Sequence, residues 1–351
     1  MKLDIERFDL ALTHLWTIAS SLKPDGSGGK TVYNTVFAQL TASDGTTGIG
    51  ESAPSTRYHE NADTVEAFLR KVDPKRLNFD DVPGSMAYLD TVAEKNWSAK
   101  GAINIALLDG AARRAGLPLC DYFKLGFREG AHYTSFTIGI DSPEKIRQKV
   151  LEAEQYPILK LKVGSPNDRE NIAALRSAAP TKTVRVDGNE AWKTPEEALR
   201  NIEWMAKDPN IEFIEQPMPS SCDPKDFKWL KERSPLPIMA DESCIAVADV
   251  PMLADCFHSV NVKLAKTGGP STAFDLLSAA RKAGLKTMIG CMIESSVLTA
   301  AAAHLAELTD YLDIDGNILI TNDPYKGPTS ERGLISFTKA PHRLGLCVER
   351  R

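Results

Sequence analysis

The sequence predicts an α/β fold, a barrel of parallel strands alternating with helices behind a smaller α+β domain. Three observations carry this. From about Thr134, eight short apolar runs recur: SFTIGI, ILKLKV, TVRVDGN, EFIEQP, PIMADES, SVNVKLAK, KTMIGCMIES and LDIDGN. Most gaps between them hold one amphipathic helix, for example DRENIAALRSAA or TPEEALRNIEWMAK. Strand–helix alternation repeated this often means a parallel architecture, and eight strands over about 200 residues suit a closed barrel better than an open sheet. Before Thr134 the rhythm differs, which sets that part off as a second unit.

The first 60 or so residues read as strands and turns. LDIERFDLALTHL and NTVFAQLTA alternate, and the turns KPDGSGGK and SDGTTGIG are marked by proline and glycine. The segment Lys23 to Lys30 reads as a mobile loop. From about Ala62 to Leu125 the period becomes helical, and SAKGAINIALLDGAARRAG stops at Gly116 before Pro118. The closing ISFTKAPHRLGLCVER reads as strand and coil packing back on the first unit. The division is therefore 1–127 for a capping domain, joined by the tail at about 328–351, and 128–327 for the barrel.

Composition excludes several classes. A net charge of −5 gives no basic footprint for nucleic acid. The six cysteines are scattered without a CxxC pair, so free thiols in a reducing compartment fit best. The start MKLDIERFDLALTH places acids where a signal peptide needs an apolar stretch, and no apolar run approaches a membrane span. A cytoplasmic protein is expected.

Most of the apolar runs end in residues foreign to a core. ILKLKV carries Lys160 and Lys162. TVRVDGN ends in Asp187 and Asn189, EFIEQP carries Glu215, and PIMADES carries Asp241 and Glu242. SVNVKLAK ends in Lys266, KTMIGCMIES carries Glu294, and LDIDGN carries Asp313 and Asp315. The marks from Lys162 to Glu294 recur about every 25–28 residues, the length of one strand–helix unit, and barrels of this kind place their chemistry at the carboxyl ends of the strands. One acid alone reads equally as a helix cap. Three on successive strands repel unless a cation joins them, and all-oxygen ligation favours Mg²⁺, with Mn²⁺ a substitute. Lys160 and Lys162 share a strand face, which burial forbids without a strongly negative partner or a shifted pKa. Lys263, three residues before Lys266, is expected to face away from the mouth.

With these motifs the chain resembles the enolase superfamily, in its muconate-lactonizing (muconate cycloisomerase) subgroup, and within it the dipeptide epimerases. The residues that carry the resemblance are the KxK of Lys160 and Lys162, Asp187 with Asn189, Glu215 in IEQP, Asp241 in ADES, Lys266 in KLAKTGG, and the DxD of Asp313 and Asp315. The resemblance covers nearly the whole chain. It implies a modified (β/α)7β TIM-type barrel with an N-terminal α+β capping domain. It further implies Asp187, Glu215 and Asp241 as Mg²⁺ ligands, with Asn189 and Glu242 supporting them. Lys162 and Lys266 are implied as an acid/base pair, one on each side of the substrate α-carbon, with Lys160 charged beside them. Thr137, Glu294 and Ser296 are implied to line the substrate pocket.

The chemistry explains why such parts are needed. Removing a proton next to a carboxylate leaves an enediolate with two negative charges on one group, and a metal ion stabilises that charge as it develops. Two lysines on the second and sixth strands of eight stand nearly opposite each other, so one can take a proton and the other return one, inverting the carbon. Asp313 and Asp315 suit the ammonium of a dipeptide substrate. An o-succinylbenzoate synthase or a muconate-type cycloisomerase keeps the same acids and lysines without needing that ammonium site. A catalytically silent metal- or ligand-binding barrel would show a broken acid or lysine set, and none is broken here. Alanyl-glutamate epimerases carry an arginine in an early capping-domain loop, near Ser20 in this chain, yet no arginine occurs between Arg7 and Arg57. Lys23, Lys30 or Arg57 takes that role, or the side-chain preference differs; Tyr58, His59 and Glu60 are placed by the resemblance at the same mouth. Assembly into a homo-oligomer is an expectation of the resemblance alone.

Overall fold

The computed structural model describes residues 1–23 and 28–351. The centre of the loop expected over Lys23–Lys30 lies outside the described residues. The capping domain opens with β1 (Lys2–Trp16), β2 (Lys30–Thr41) and β3 (Thr47–Ser52), an antiparallel sheet in the order β1-β2-β3. Helices α1 (Ala62–Leu69), α2 (Val82–Val92), α3 (Trp97–Arg114) and the single turn α4 (Leu119–Tyr122) follow. Asn61 caps α1 through its side chain, and Gly116, at φ +70, lets the chain leave after α3. Nearly all of α3 is buried, because it lies between the sheet and the barrel. It approaches β3 closely: a Cβ on Gly50 would stand 1.9 Å from the Ala102 carbonyl oxygen, so only glycine fits.

The barrel has eight parallel strands: β4 (Phe136–Ile138), β5 (Ile158–Lys162), β6 (Thr183–Asp187), β7 (Ile211–Glu215), β8 (Ile238–Ala240), β9 (Ser259–Lys263), β10 (Lys286–Gly290) and β11 (Tyr311–Asp313). A parallel bridge from Thr134 to Leu312 joins the first strand's lead-in to the last and closes the ring. Between them run α5 (Pro143–Glu152), α6 (Asp168–Ala178), α7 (Pro195–Met205), α8 (Pro224–Arg233), α9 (Val250–Cys256), the one-turn α10 (Leu264–Thr267), α11 (Pro270–Lys282) and α12 (Ser296–Ala303). No helix follows β11, as the (β/α)7β expectation requires. Four short strands end the chain: β12 (Tyr325–Lys326), β13 (Thr329–Glu331), β14 (Leu334–Ser336) and β15 (Glu349–Arg350).

Alternation decides what fills the barrel. Leu159 and Leu161 point outward into the helix layer, which leaves Lys160 and Lys162 inside. Lower down, Phe213, Met239 and Met288 form an apolar floor with Tyr311 packed against it. Arg185 crosses that floor between the rings of Phe213 and Tyr311 and donates to the Leu312 carbonyl at 2.7 Å. The charged layer therefore rests on a packed plug.

The two units are joined by buried polar bonds. Glu51, at the end of β3, accepts from Ser295 N at 2.9 Å, Ser295 Oγ at 2.6 Å and Leu298 N at 3.1 Å, and so caps α12 of the barrel. Asn104 of α3 accepts from Ser271 N at 3.0 Å at the start of α11. The tail returns to the capping domain: Leu346 N donates to Asp109 Oδ1 at 2.8 Å, and Arg350 pairs with Glu6 at 2.6 Å.

Candidate active site

Asp187 and Glu215 are the last residues of β6 and β7, and Asp241 follows β8. Register sets them side by side: Lys162 pairs with Asp187, and Asp187 with Glu215. All three are fully buried, and one oxygen from each lies within 4.8 Å of the others. Asn189 N donates to Asp187 Oδ1 at 2.9 Å, and Asn261 Nδ2 to Glu215 Oε1 at 2.8 Å. Gln216 holds the third acid, since its Oε1 accepts from Asp241 N at 2.9 Å. Glu215 Oε2 is buried without a hydrogen-bond partner, although Lys160 Nζ stands 2.7 Å away. Three converging buried carboxylates fit a small hard cation with oxygen ligands.

Four buried ammonium groups oppose these charges. Lys160 contacts Asp313 Oδ2 and Glu215 Oε2 at 2.7 Å each and Asp187 Oδ2 at 3.1 Å. Lys162 donates to Asp187 Oδ2 at 2.6 Å, and Lys263 to Asp241 Oδ2 at 2.7 Å. Lys266 donates to the Asp241 carbonyl, to Asp241 Oδ1 at 2.6 Å and to the Asn261 carbonyl at 3.0 Å. Burial works against ionisation of Asp187, and Lys162 and Lys160 outweigh it, so the carboxyl stays below its ordinary range. Lys263 and Lys266 do the same for Asp241. Glu215 goes the other way: burial, then the charge of Asp187, push it up to about 7. Burial opposes the charge on Lys160, but Asp313 and Glu215 hold its pKa well above the ordinary value. The strongly negative partner that two buried lysines demand is thus supplied by the chain's own acids.

Above this layer opens a cavity of about 430 Å³ between the barrel mouth and the capping domain. Lys160, Lys162 and Lys263 line it, as do Thr137, Asn189, Glu242, Asp313 and Asp315. The three acids lie beneath and reach the cavity through the lysines they touch. Asp313 Oδ1 accepts from Ser135 Oγ at 2.6 Å, and Asp315 Oδ2 from Thr137 N at 2.6 Å. Neither sits in a solvated turn; both are buried. Burial and the neighbouring charge of Asp313 push Asp315 up to about 6. Cys291 Sγ lies 3.4 Å from Asp315 Oδ1, a contact no sequence pattern announced.

Several sequence expectations are corrected. Lys263 was expected to face away, yet it lines the cavity, while Lys266 does not. The strand ends at Lys263 and residues 264–267 form a helical turn, so strand alternation does not apply between them. Glu294 is fully buried, accepts from Met292 N at 3.1 Å and does not line the cavity. Ser296 is turned away too, donating to Asp323 Oδ2 at 2.6 Å. Both follow β10, where the chain bends toward Glu51 and leaves only residues 291–293 at the cavity wall. Arg57, Tyr58 and Glu60 line the mouth and His59 does not. Arg57 is held by Glu190 at 2.6 and 2.8 Å and by Ser220 at 2.7 Å, and Glu60 accepts from Ser98 N at 2.9 Å in the first turn of α3. Ser20 and Lys30 line the capping side, and Lys23 does not.

Known proteins are similar to this chain in sequence and fold. The chain is 58% identical over 340 residues, 97% of each chain, to an L-Ala-D/L-amino acid epimerase of Pedosphaera parvula. It superimposes with a TM-score of 0.90 and 28% identity on a substrate-liganded L-Ala-D/L-Glu epimerase from Bacillus subtilis, over 99% of this chain and 97% of that one. A dipeptide epimerase from Cytophaga hutchinsonii, complexed with Mg and the dipeptide D-Ala-L-Val, matches with a TM-score of 0.89 and 28% identity, over 99% and 95%. Residues 26–123 match the mandelate racemase / muconate lactonizing enzyme N-terminal domain, residues 144–346 match the enolase C-terminal domain-like family, and the chain belongs to this enolase-type family of capped barrels.

Proposed function

We propose that the protein is a Mg²⁺-dependent dipeptide epimerase that inverts the α-carbon of the C-terminal residue of its substrate. The observation that carries this is the placement of two cavity-lining lysines on either side of the acid triad. Lys162 rests on Asp187 at one end, and Lys263 on Asp241 at the other. Their strands, β5 and β9, are four apart in a ring of eight. Lys263, rather than Lys266, is the partner of Lys162 in this reading. A base needs a lone pair facing the substrate, and all three donors of Lys266 are engaged away from the cavity.

Asp187, Glu215 and Asp241 would hold the ion. Bound there, Mg²⁺ would polarise the substrate carboxylate and offset the charge that develops as the α-proton leaves. Lys160, held charged by Asp313 and Glu215, adds a fixed positive charge beside that carboxylate. One of Lys162 and Lys263 takes the proton and the other delivers one to the opposite face. Asp315, with Asp313 behind it, receives the substrate ammonium. A synthase or cycloisomerase has no use for these two buried acids, which favours the epimerase.

The capping wall offers Trp16, Ile18, Val32 and Tyr33, with Lys30 at its edge and Ser20 where alanyl-glutamate epimerases carry arginine, and Ile293 and Leu319 of the barrel face it. That wall supports an uncharged C-terminal side chain over glutamate. The returning tail bonds support the division of the chain into 1–127 with 328–351, and 128–327. Among the described residues no helix is long and apolar enough to cross a membrane. The six free cysteines support a reducing, cytoplasmic setting.

The test is mass spectrometry of L,L-dipeptide pools incubated with the protein and Mg²⁺ in D₂O. One deuterium is expected at the C-terminal α-carbon of a subset of dipeptides, abolished by EDTA. No gain in any dipeptide, with Mg²⁺ bound, would overturn the reading.

A further inference from the structure

Lys266 is a charged group of the cluster that the proposed reaction leaves unused. It is fully buried, and its three acceptors match the three donors of an ammonium. Two of those acceptors belong to one residue, the carbonyl and Oδ1 of Asp241. The chain is built to make this contact. After β9 it turns once through Leu264–Thr267, and Gly268 and Gly269 stop the turn at φ +89 and +105, where other residues are strained. Thr267 Oγ1 donates back to the Lys263 carbonyl at 3.1 Å and firms the turn. Lys266 is thereby folded behind Asp241, on the side opposite the cavity, while Lys263 holds Oδ2 on the cavity side at 2.7 Å.

We propose that Lys266 is a positioning residue that confines Asp241 to one-oxygen ligation and withdraws part of its charge, keeping the bound ion electrophilic. The inference rests on the proposed metal site. Both oxygens of Asp241 meet an ammonium, but only Lys266 is locked in place, by Oδ1 and two carbonyls. Lys263 faces the cavity and is free to turn to substrate, so Oδ2 alone is left to the ion. Asp241 so held also donates less charge to the ion, which then stabilises the developing dianion better. The arrangement gives up metal affinity for turnover.

The test measures Mn²⁺ affinity by electron paramagnetic resonance and turnover of an L,L-dipeptide, for the wild type and for Lys266→Met. The variant is expected to bind Mn²⁺ on the order of tenfold more tightly, because a buried like charge has gone, while kcat falls. A merely structural lysine predicts the reverse, weaker Mn²⁺ binding together with lost stability. Lys266→Gln keeps hydrogen-bonding capacity and drops the charge, so it serves if the Met variant does not fold. Equal or weaker Mn²⁺ binding in the folded variant, or failure of both variants to fold, overturns the proposal. A wild type that binds no Mn²⁺ instead overturns the metal site itself.

Discussion

At the scale of single residues, Lys263 and Asp315 yield separable outcomes. Lys263→Ala should abolish epimerisation, by roughly 10²–10⁴-fold, yet retain α-proton exchange in D₂O for one of the two epimers, because Lys162 still works from its own face. Proton NMR of each epimer checks this. Asp315→Asn should raise KM for dipeptides roughly 10–100-fold with a smaller change in kcat, since a charge-assisted bond to the substrate ammonium is lost. Asp315 carries a pKa pushed up to about 6 by burial, so it is anionic above that pH and neutral below. Dipeptide kcat/KM should therefore fall as pH drops through about 6, and the Asn variant should lose that limb of the profile. The acids Asp187, Glu215 and Asp241 were legible in the sequence because each ends an apolar run at a regular interval. Lys263 was misread because nothing in KLAK distinguishes a continued strand from a strand followed by one helical turn. Ser296 rested on family resemblance alone and Glu294 also on its place at the end of an apolar run, and the bend after β10 takes both away from the cavity.

At the scale of elements, α3 shows how the capping domain is fixed to the barrel. Its helical period was plain in the sequence, but its burial on all sides was not, because a helix enclosed by two units lacks a polar face to mark it. Gly48 and Gly50 of β3 are the sites of closest approach; a Cβ on either would fall within about 2 Å of an α3 carbonyl. Gly50→Ala should destabilise the protein by about 3 kcal/mol, seen as an earlier unfolding midpoint in guanidinium, while Gly45→Ala in the nearby turn meets no such contact. A Cβ on Gly45 would meet nothing within 4 Å, so its cost is limited to its own positive φ.

For the whole molecule, the eight-strand ring and its charged layer form one electrostatic unit. Removing the cation leaves three carboxylates balanced only by lysines, so saturating Mg²⁺ should raise the unfolding temperature by on the order of a few degrees over EDTA. Differential scanning calorimetry with and without chelator measures it. The bonds of Glu51 to the 295–298 segment carry a different kind of consequence. The cavity wall at 291–293 belongs to the barrel in sequence, but it is anchored next door by a carboxylate from β3. A lineage that traded its N-terminal domain for a cousin's by recombination would inherit a Glu51 counterpart shaped for another α12. Crossovers that preserve selectivity must carry both segments together, although more than 240 residues separate them along the chain. The unit that shapes this wall of the cavity is thus discontinuous in the gene.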